Sequence, residues 1–142
     1  MKFFIKENNA CSDGAAFAEK FTTLAEAWDA CERADWLLWA YVRKVKEQDL
    51  KALRLFACWC ARQNWHLLTD ERSRTAVEVA ERFATGQATA LELADARKAA
   101  YAAAAAADAD AAAAYAAAYA ARNEARKWQA IHFRLLIPNP FN

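Results

Sequence analysis

The sequence predicts an all-α fold: a single-domain helical bundle of about six or seven helices that ends in a long alanine-rich helical hairpin. Only two glycines and two prolines occur in 142 residues, which leaves few of the turn residues that strands and hairpins need. Eighteen of the 23 residues 99–121 are alanine, the residue with the best intrinsic helix propensity. Elsewhere, apolar residues recur with helical spacing.

Length and charge restrict the class of protein further. A chain of 142 residues is predicted to form one domain with one sizeable core. We expect aromatic-rich helices in 1–48, a central helix pair in 49–86 and the alanine-rich region in 89–137. With 19 basic and 18 acidic residues, the net charge is +1, so no strong field steers the whole molecule to nucleic acid or to an anionic membrane.

The first residues and the hydropathy pattern indicate a cytoplasmic protein. MKFFIKENNA has only three apolar residues before charges and amides, unlike a signal peptide. No run approaches the ~20 apolar residues that span a bilayer, so no membrane association is expected. Reduced thiols are therefore predicted for the four cysteines.

Capping residues mark helix starts in the first third of the chain. Residues 1–12 are ambiguous, either a short extended segment or an anchor across the core. Asp13 is predicted to cap a short helix, and Thr23 begins a capping box that Glu26 completes. Asp35 is a further candidate cap, and the seven apolar residues of 36–42 predict a helix buried on most sides.

The middle of the chain has the strongest helical period. Asp49 is predicted to cap a helix, Thr69 or Asp70 the next, and Gly86 to end that one. The first of these two helices is predicted to be the centre of the core, because its apolar face follows a 3-4-3-4-3 spacing at Leu53, Phe56, Ala57, Cys60, Asn64 and Leu67.

The last helical region poses a problem of length. Thr89 and Glu92 form a second capping box, and nothing stops the helix before Pro138. Unbroken, it would extend ~70 Å at 1.5 Å per residue, whereas a domain of this size is ~35–40 Å across. Asp108 and Asp110 are poor residues for a helix interior. We therefore predict two antiparallel helices that meet near 106–110.

The residue types that support catalysis or metal binding do not form a recognisable pattern. Cys58 and Cys60 point ~200° apart on a helix, unlike a zinc-binding turn, and buried structural thiols are expected. The two histidines, His66 and His132, have no evident low-pKa thiol beside them. No metal, cofactor or catalytic residue is predicted. An enzyme would need a deep pocket with polar groups around Asn64, His66 or Asp70.

Three groups of residues are candidate binding sites, and each has a plain structural alternative. A charged cluster is either a helix start that follows the capping rules or a recognition patch. Tyrosines and aspartates of the alanine tract are either core-facing spacers and a turn or a rigid binding stripe. A basic run is either a solvated helix end or a phosphate-binding site. The charged cluster comprises Asp70, Glu71, Arg72 and Arg74. The residues of the alanine tract are Tyr101, Asp108, Asp110, Tyr115 and Tyr119. The basic run comprises Arg43, Lys44, Lys46 and Lys51.

Residues 53–89, LRLFACWCARQNWHLLTDERSRTAVEVAERFATGQAT, and the tail Asn139-Pro140-Phe141 resemble a family of alanine-rich helical bacterial and phage proteins, largely uncharacterised. The resemblance covers residues 50–142. The sequence is also more weakly similar to immunity proteins of toxin systems, through its arginine-rich helix start, its AVEVAERF segment and the alanine helix. The second resemblance implies binding and neutralisation of a partner protein, and neither supplies a catalytic residue.

We therefore predict a non-enzymatic protein that binds another macromolecule. The preferred class is an inhibitor of a partner protein, of the immunity or phage anti-defence (anti-CRISPR) type, with a toxin or a host defence component as partner. A nucleic-acid-binding helical module is the alternative, and a structural protein that self-associates through alanine faces is a further one. Both a monomer and a homodimer are compatible with the sequence.

Overall fold

The protein is helical throughout the part that the computed structural model describes. That part comprises residues 9–107 and 115–141, excluding the side chains of 104–107 and 115–124. It contains seven α-helices and no strand, which confirms the all-α prediction. The helices are α1 (Ser12–Ala18), α2 (Leu24–Ala30), α3 (Ala34–Lys44), α4 (Leu50–Gln63), α5 (Glu71–Ala84), α6 (Ala90–Ala107) and α7 (Tyr115–Leu136), with a 3₁₀ turn at Trp65–Leu67. None of them is both long and apolar enough to cross a membrane.

The chain divides into two compact units. Unit 1 comprises Met1–Gln48 together with Asn123–Asn142, and unit 2 comprises Asp49–Arg122. Unit 1 thus contains α1, α2, α3 and the C-terminal part of α7, while α4, α5 and α6 lie in unit 2. The single domain remains a prediction. Helix α6 continues to Ala107, and residues 108–110 of the turn predicted near 106–110 lie outside the described residues.

Local capping chemistry sets most of the helix starts in unit 1, but not always through the residue expected. The capping box at α2 is present, since Thr23 Oγ1 accepts from the backbone N–H of Glu26 and the Glu26 carboxylate accepts from that of Thr23. At α1 the cap is the Cys11 sulfur, which accepts from the Gly14 N–H, so the prediction of Asp13 was wrong.

The predicted Asp35 cap was also wrong, because α3 begins at Ala34, two residues before the Trp36 start that a cap at Asp35 implies. Arg33 occupies the N-cap position and has no side-chain cap. Asp35 lies in the first turn, where its carboxylate accepts two hydrogen bonds from the Arg33 guanidinium. An acidic group there also complements the helix dipole.

Unit 2 follows the predicted boundaries closely. Asp49 accepts from the Ala52 N–H at the start of α4, and Asp70 accepts from the Arg72 N–H at the start of α5. Gly86 has φ +77° just after α5, the left-handed conformation that glycine adopts most readily. Thr89 and Glu92 exchange both hydrogen bonds of a capping box before α6. Helix α5 packs against both α4 and α6.

The largest set of buried side chains lies in unit 1, not on α4. Asn64 and Leu67 fall beyond the end of α4, where the chain tightens into the 3₁₀ turn, and Leu67 is 65% exposed. The turn breaks the 3.6-residue period and Ala57 is exposed as well, so Phe56 is the one residue of the predicted stripe that is buried. The buried residues of unit 1 are Ala27, Trp28, Cys31, Ala34, Leu37, Tyr41, Ala130, Phe133 and Ile137, against Ala52, Phe56, Cys58, Val79, Leu93 and Ala103 in unit 2.

Helix α3 is buried on one face only, contrary to the prediction of burial on most sides. Leu37 and Tyr41 are buried on that face, whereas Leu38 and Val42 are exposed. A run of apolar residues has no period from which the buried face can be identified.

The C-terminal tail closes the core of unit 1. The Phe141 ring meets the Trp28 ring edge-on, with 5.4 Å between centroids. The Asn139 side-chain amide donates to the Ala25 carbonyl and to the Asp29 carboxylate, and its oxygen accepts from the Phe141 N–H. The Asn-Pro-Phe tail is therefore fixed to α2 by both polar and aromatic contacts.

Candidate functional site

The predicted charged cluster divides into exposed and structural members. Asp70 and Arg72 form an ion pair in which the guanidinium donates twice to the carboxylate. This pairing lowers the pKa of Asp70 to about 2. Glu71 is also exposed, in the first turn of α5. Both charges of the pair are thus engaged locally, as the capping alternative requires.

Arg74, the fourth member of that cluster, has a structural environment. Its Nε donates to the Leu68 carbonyl over 2.6 Å, and its guanidinium carbon lies 5.5 Å from the centroid of the Trp65 ring. Arg62 also contacts Trp65, at 4.0 Å, and donates twice to the Glu81 carboxylate. Trp65 therefore has two arginines against it that join the 3₁₀ turn to α4 and α5.

The tyrosine and aspartate candidates are only partly described. Tyr101 is 68% exposed on α6, so it is not the core-facing spacer that was the plain alternative. Asp108 and Asp110 lie outside the described residues, and the side chains of Tyr115 and Tyr119 lie outside the described part as well. The binding stripe predicted from these five residues stays a prediction.

The basic run is distributed over the two units. Arg43 and Lys44 occupy the last turn of α3, where cations complement the helix dipole, and Lys46 follows in unit 1. Lys51 belongs to unit 2. The Arg43 guanidinium carbon lies 4.9 Å from the centroid of the Trp39 ring. All four side chains are exposed.

An exposed apolar row on α7 was missed by the sequence analysis. Trp128, Ile131 and Leu135 are 61%, 45% and 73% exposed. Their i, i+3, i+7 spacing places them on one side of the helix. We call these three residues the α7 ridge.

A second apolar set with the same spacing lies on the opposite side of α7. Ala130, Phe133 and Ile137 are buried in the core of unit 1, and Phe133 is fully inaccessible. At 100° per residue the two sets are about half a turn apart. The sequence WQAIHFRLLI contains both patterns, and the core of unit 1 buries the second set but not the first. This doubled period is the signal that could have revealed the ridge.

Polar contacts to α2 hold the ridge helix in place. Arg134 Nη1 donates to the backbone carbonyls of Trp28 and Cys31 at the end of α2, and the Trp28 carbonyl also accepts from the Cys31 N–H. Lys127 pairs with Glu32 at 3.5 Å. A cation at the C-terminus of α2 is also favoured by the helix dipole. The ridge is therefore presented by a fixed helix rather than by a loop.

Unit 1 also contains a cavity of about 370 Å³ among α1, α2, α3 and Phe141. Most of its walls are aromatic or aliphatic, and Trp28, Trp36 and Trp39 are among them. The indole nitrogen of Trp28 is buried and has no hydrogen-bond acceptor in the described part of the chain. An unsatisfied buried donor costs about 1–3 kcal/mol, so a hydrogen bond to this nitrogen would be stabilising.

The thiols and histidines show no geometry for catalysis. Burial raises the pKa of Cys31 and Cys58, and raises the pKa of Cys60 to about 11. These thiols are therefore protonated at neutral pH, and a protonated thiol is a poor nucleophile. Burial lowers the pKa of His132. Within residues 9–107 and 115–141, no three His, Cys, Asp or Glu side chains come together as a metal site would require.

An enzyme was expected to have a deep pocket around Asn64, His66 or Asp70. The local contacts of these three residues do not indicate one. Asn64 is exposed and donates to the Cys60 carbonyl one turn earlier. His66 is exposed in the 3₁₀ turn, and Asp70 is engaged with Arg72. The described cavity lies in unit 1 and includes none of the three.

Comparison of the chain with models of protein families, with curated proteins and with solved structures finds no match.

Proposed function

We propose that this protein binds a partner protein through the α7 ridge and acts as its inhibitor in the cytoplasm. The carrying observation is that Trp128, Ile131 and Leu135 form an exposed apolar row on a helix whose other side is buried. Rows with i, i+3, i+7 spacing are what helices insert into the apolar grooves of partner proteins. A toxin or a host defence component is the class of partner that the sequence resemblance implies.

The chemistry of the ridge supports a protein rather than a nucleic acid as partner. Its three members carry no charge, whereas nucleic-acid binding depends mainly on cations that contact phosphates. Tryptophan is enriched among the residues that dominate protein interfaces, and truncation of such a residue costs about 2 kcal/mol or more. We therefore assign Trp128 as the anchor and the two aliphatic residues as its flanks.

Rigid presentation supports inhibition as the mode of action. Because Arg134 and Lys127 fix α7 to α2, binding does not have to order the ridge first. An ordered ligand loses less conformational entropy on association. Occupying a groove that the partner needs for its own activity would then suffice to inhibit it.

A capture experiment with matched variants tests the proposal. Wild type, Trp128→Ser and Leu91→Ser are immobilised and exposed to lysate of the host cell. Leu91 is the control because it is an exposed leucine on α6. We expect one stoichiometric protein on wild type and on Leu91→Ser, with at least tenfold less on Trp128→Ser, since about 1.4 kcal/mol is a tenfold change in affinity.

Equal capture by Trp128→Ser, or no stoichiometric protein on wild type, would contradict the proposal. Light scattering of the three proteins separates partner binding from self-association. A dimer of wild type that Trp128→Ser converts to monomer would assign the ridge to a second copy of the chain instead. Circular dichroism of the variants confirms that the helices remain.

A further inference from the structure

We propose that the cavity of unit 1 binds a small neutral ring compound that carries a hydrogen-bond acceptor, such as an aryl ketone or ester. This site does not include the α7 ridge, and the inference does not rest on the proposed protein partner. The cavity measures about 370 Å³, at the lower end of the range of about 300–1,000 Å³ for small-molecule sites.

The walls of the cavity favour a flat, apolar ligand. Phe17, Trp36 and Trp39 contribute rings, and Phe141 contributes a fourth. Phe17 and Trp36 are already in tilted contact, with 5.4 Å between centroids. Aromatic rings prefer offset or edge-to-face contact with other rings, so a ligand with one or two fused rings would meet a suitable face on several sides.

The charged residues at the cavity favour a neutral ligand. Arg33 and Asp35 both line it, but they neutralise each other through two hydrogen bonds. The Arg33 guanidinium carbon also lies 4.4 Å from the centroid of the Trp36 ring. A charged ligand would have to break this pair, because its own charge would find no uncompensated counterpart there.

The acceptor follows from Trp28. This residue forms part of the cavity wall and is 2% exposed, and its indole N–H has no acceptor in the described part of the chain. Buried polar groups are normally hydrogen-bonded. Because the nitrogen has less than 1 Å² of accessible surface, a small rotation of the ring must accompany the entry of a ligand oxygen, which would then give this donor its missing partner. The bound compound is therefore expected to present an oxygen to Trp28.

Two probes of the same shape test the site: 2-acetylnaphthalene, which has a carbonyl acceptor, and 2-ethylnaphthalene, which has none. We expect the ketone to bind wild type about fivefold more tightly, the value of one ordinary hydrogen bond. In ¹H–¹⁵N spectra the Trp28 indole proton should move downfield with the ketone only. In Trp28→Phe, which keeps a ring and removes the donor, the affinity difference between the probes should disappear.

Variants on α1 locate the binding in the cavity. Ala18 lines the cavity and Ala16 of the same helix is exposed, so Ala18→Phe should weaken both probes at least tenfold while Ala16→Phe leaves them unchanged. Cys11 provides a second readout, because this exposed residue also lines the cavity. The ketone should slow alkylation of Cys11 in wild type.

The outcomes discriminate clearly. No binding of either probe to wild type, or equal weakening by Ala16→Phe and Ala18→Phe, would overturn the proposal. Equal binding of both probes without a shift of the Trp28 proton would overturn the role of the acceptor. If Trp28→Phe fails to fold, the indole shift in wild type and the α1 variants still decide the question.

Discussion

The two units of this protein are stabilised in different ways. Unit 1 is assembled from two segments of the chain, Met1–Gln48 and Asn123–Asn142, and its core consists mainly of large rings and aliphatic side chains. Unit 2 is one continuous segment, Asp49–Arg122. Arginines stack on rings in both units, for example Arg33 on Trp36 in unit 1 and Arg62 on Trp65 in unit 2, so the two units differ in the side chains that they bury.

The two units differ in the kind of apolar side chain that they bury. Trp28 of unit 1 contacts Tyr41, Phe133 and Phe141, so burial of rings dominates there. Among the described side chains of unit 2, Phe56 is the one buried ring, so burial of ring surface contributes less there. Deletions in the core of unit 1 should therefore be the most destabilising.

The largest effect is expected for Phe133→Ala. Phe133 is fully buried in unit 1, and replacement of a buried phenylalanine by alanine costs about 3–5 kcal/mol through lost burial and the cavity left behind. Leu135→Ala, on the exposed side of the same helix, should change stability by less than about 0.5 kcal/mol. Urea unfolding measures both. A loss below 1 kcal/mol for Phe133→Ala would show that the ring core does not dominate.

Arg134→Met should have the next largest effect. The substitution keeps most of the aliphatic stem but leaves the Trp28 and Cys31 carbonyls without their charged donor. Hydrogen bonds to charged groups contribute about 1.5–3 kcal/mol. Amide hydrogen exchange should show reduced protection in α2 and unchanged protection in α5. Equal loss in both helices would mean that the two units do not respond independently.

Arg62→Met is the corresponding change in unit 2. It removes the ion pair with Glu81 and the cationic contact with Trp65. Both charges are about one-third exposed, so solvent screens the pair and about 1 kcal/mol is expected in total. Urea unfolding followed by hydrogen exchange in α4 and α5 measures it. If Arg62→Met lowered the free energy of unfolding as much as Phe133→Ala does, the two units would not differ in how they are stabilised.

The smallest effect concerns acid and Asp70. Pairing with Arg72 lowers the pKa of this carboxyl to about 2 from an ordinary value of 3.8. Between those values the unfolded state binds more protons, so this contribution to stability is complete above pH 4 and is lost as the pH falls toward 2. Asp70→Asn keeps an N-cap and removes the charge. The thermal midpoint of Asp70→Asn should be lower than that of wild type at pH 6 and equal to it near pH 2. If the two midpoints instead differ by the same amount at every pH, the effect would be due to capping and not to the charge.

Features determined by neighbouring residues could be predicted from the sequence. The capping residues Thr23, Asp49, Asp70 and Thr89 and the glycine at 86 are where the sequence placed them, because each acts within one helical turn. Asp13 failed because a cysteine two residues earlier caps α1, and sulfur is a rare cap. The prediction of Asp35 as a cap failed because α3 begins before it, and its carboxylate accepts from the Arg33 guanidinium instead.

Features determined by distant residues could not be predicted. Arg134 and Asn139 complete α2 from more than 100 positions away, and nothing near either of them in the sequence indicates that partner. The α7 ridge was missed for a related reason, since α7 has two apolar faces and period alone does not tell which one the core takes. Among the predicted site residues, Arg74 was expected in a surface cluster for binding. Its guanidinium instead contacts Trp65 and the Leu68 carbonyl within the fold.

The docking of the tail on α2 has a consequence for synthesis. A ribosome releases the chain from the N-terminus at about 5–20 residues per second, so α1–α3 emerge well before Phe133, Arg134 and Phe141 exist. All of unit 2, Asp49–Arg122, is synthesised in that interval, while the rings of α1–α3 lack the partners that the C-terminal segment supplies. Trp28 and Tyr41 are therefore open to chaperones and proteases in a growing chain, although both are buried once the chain is complete.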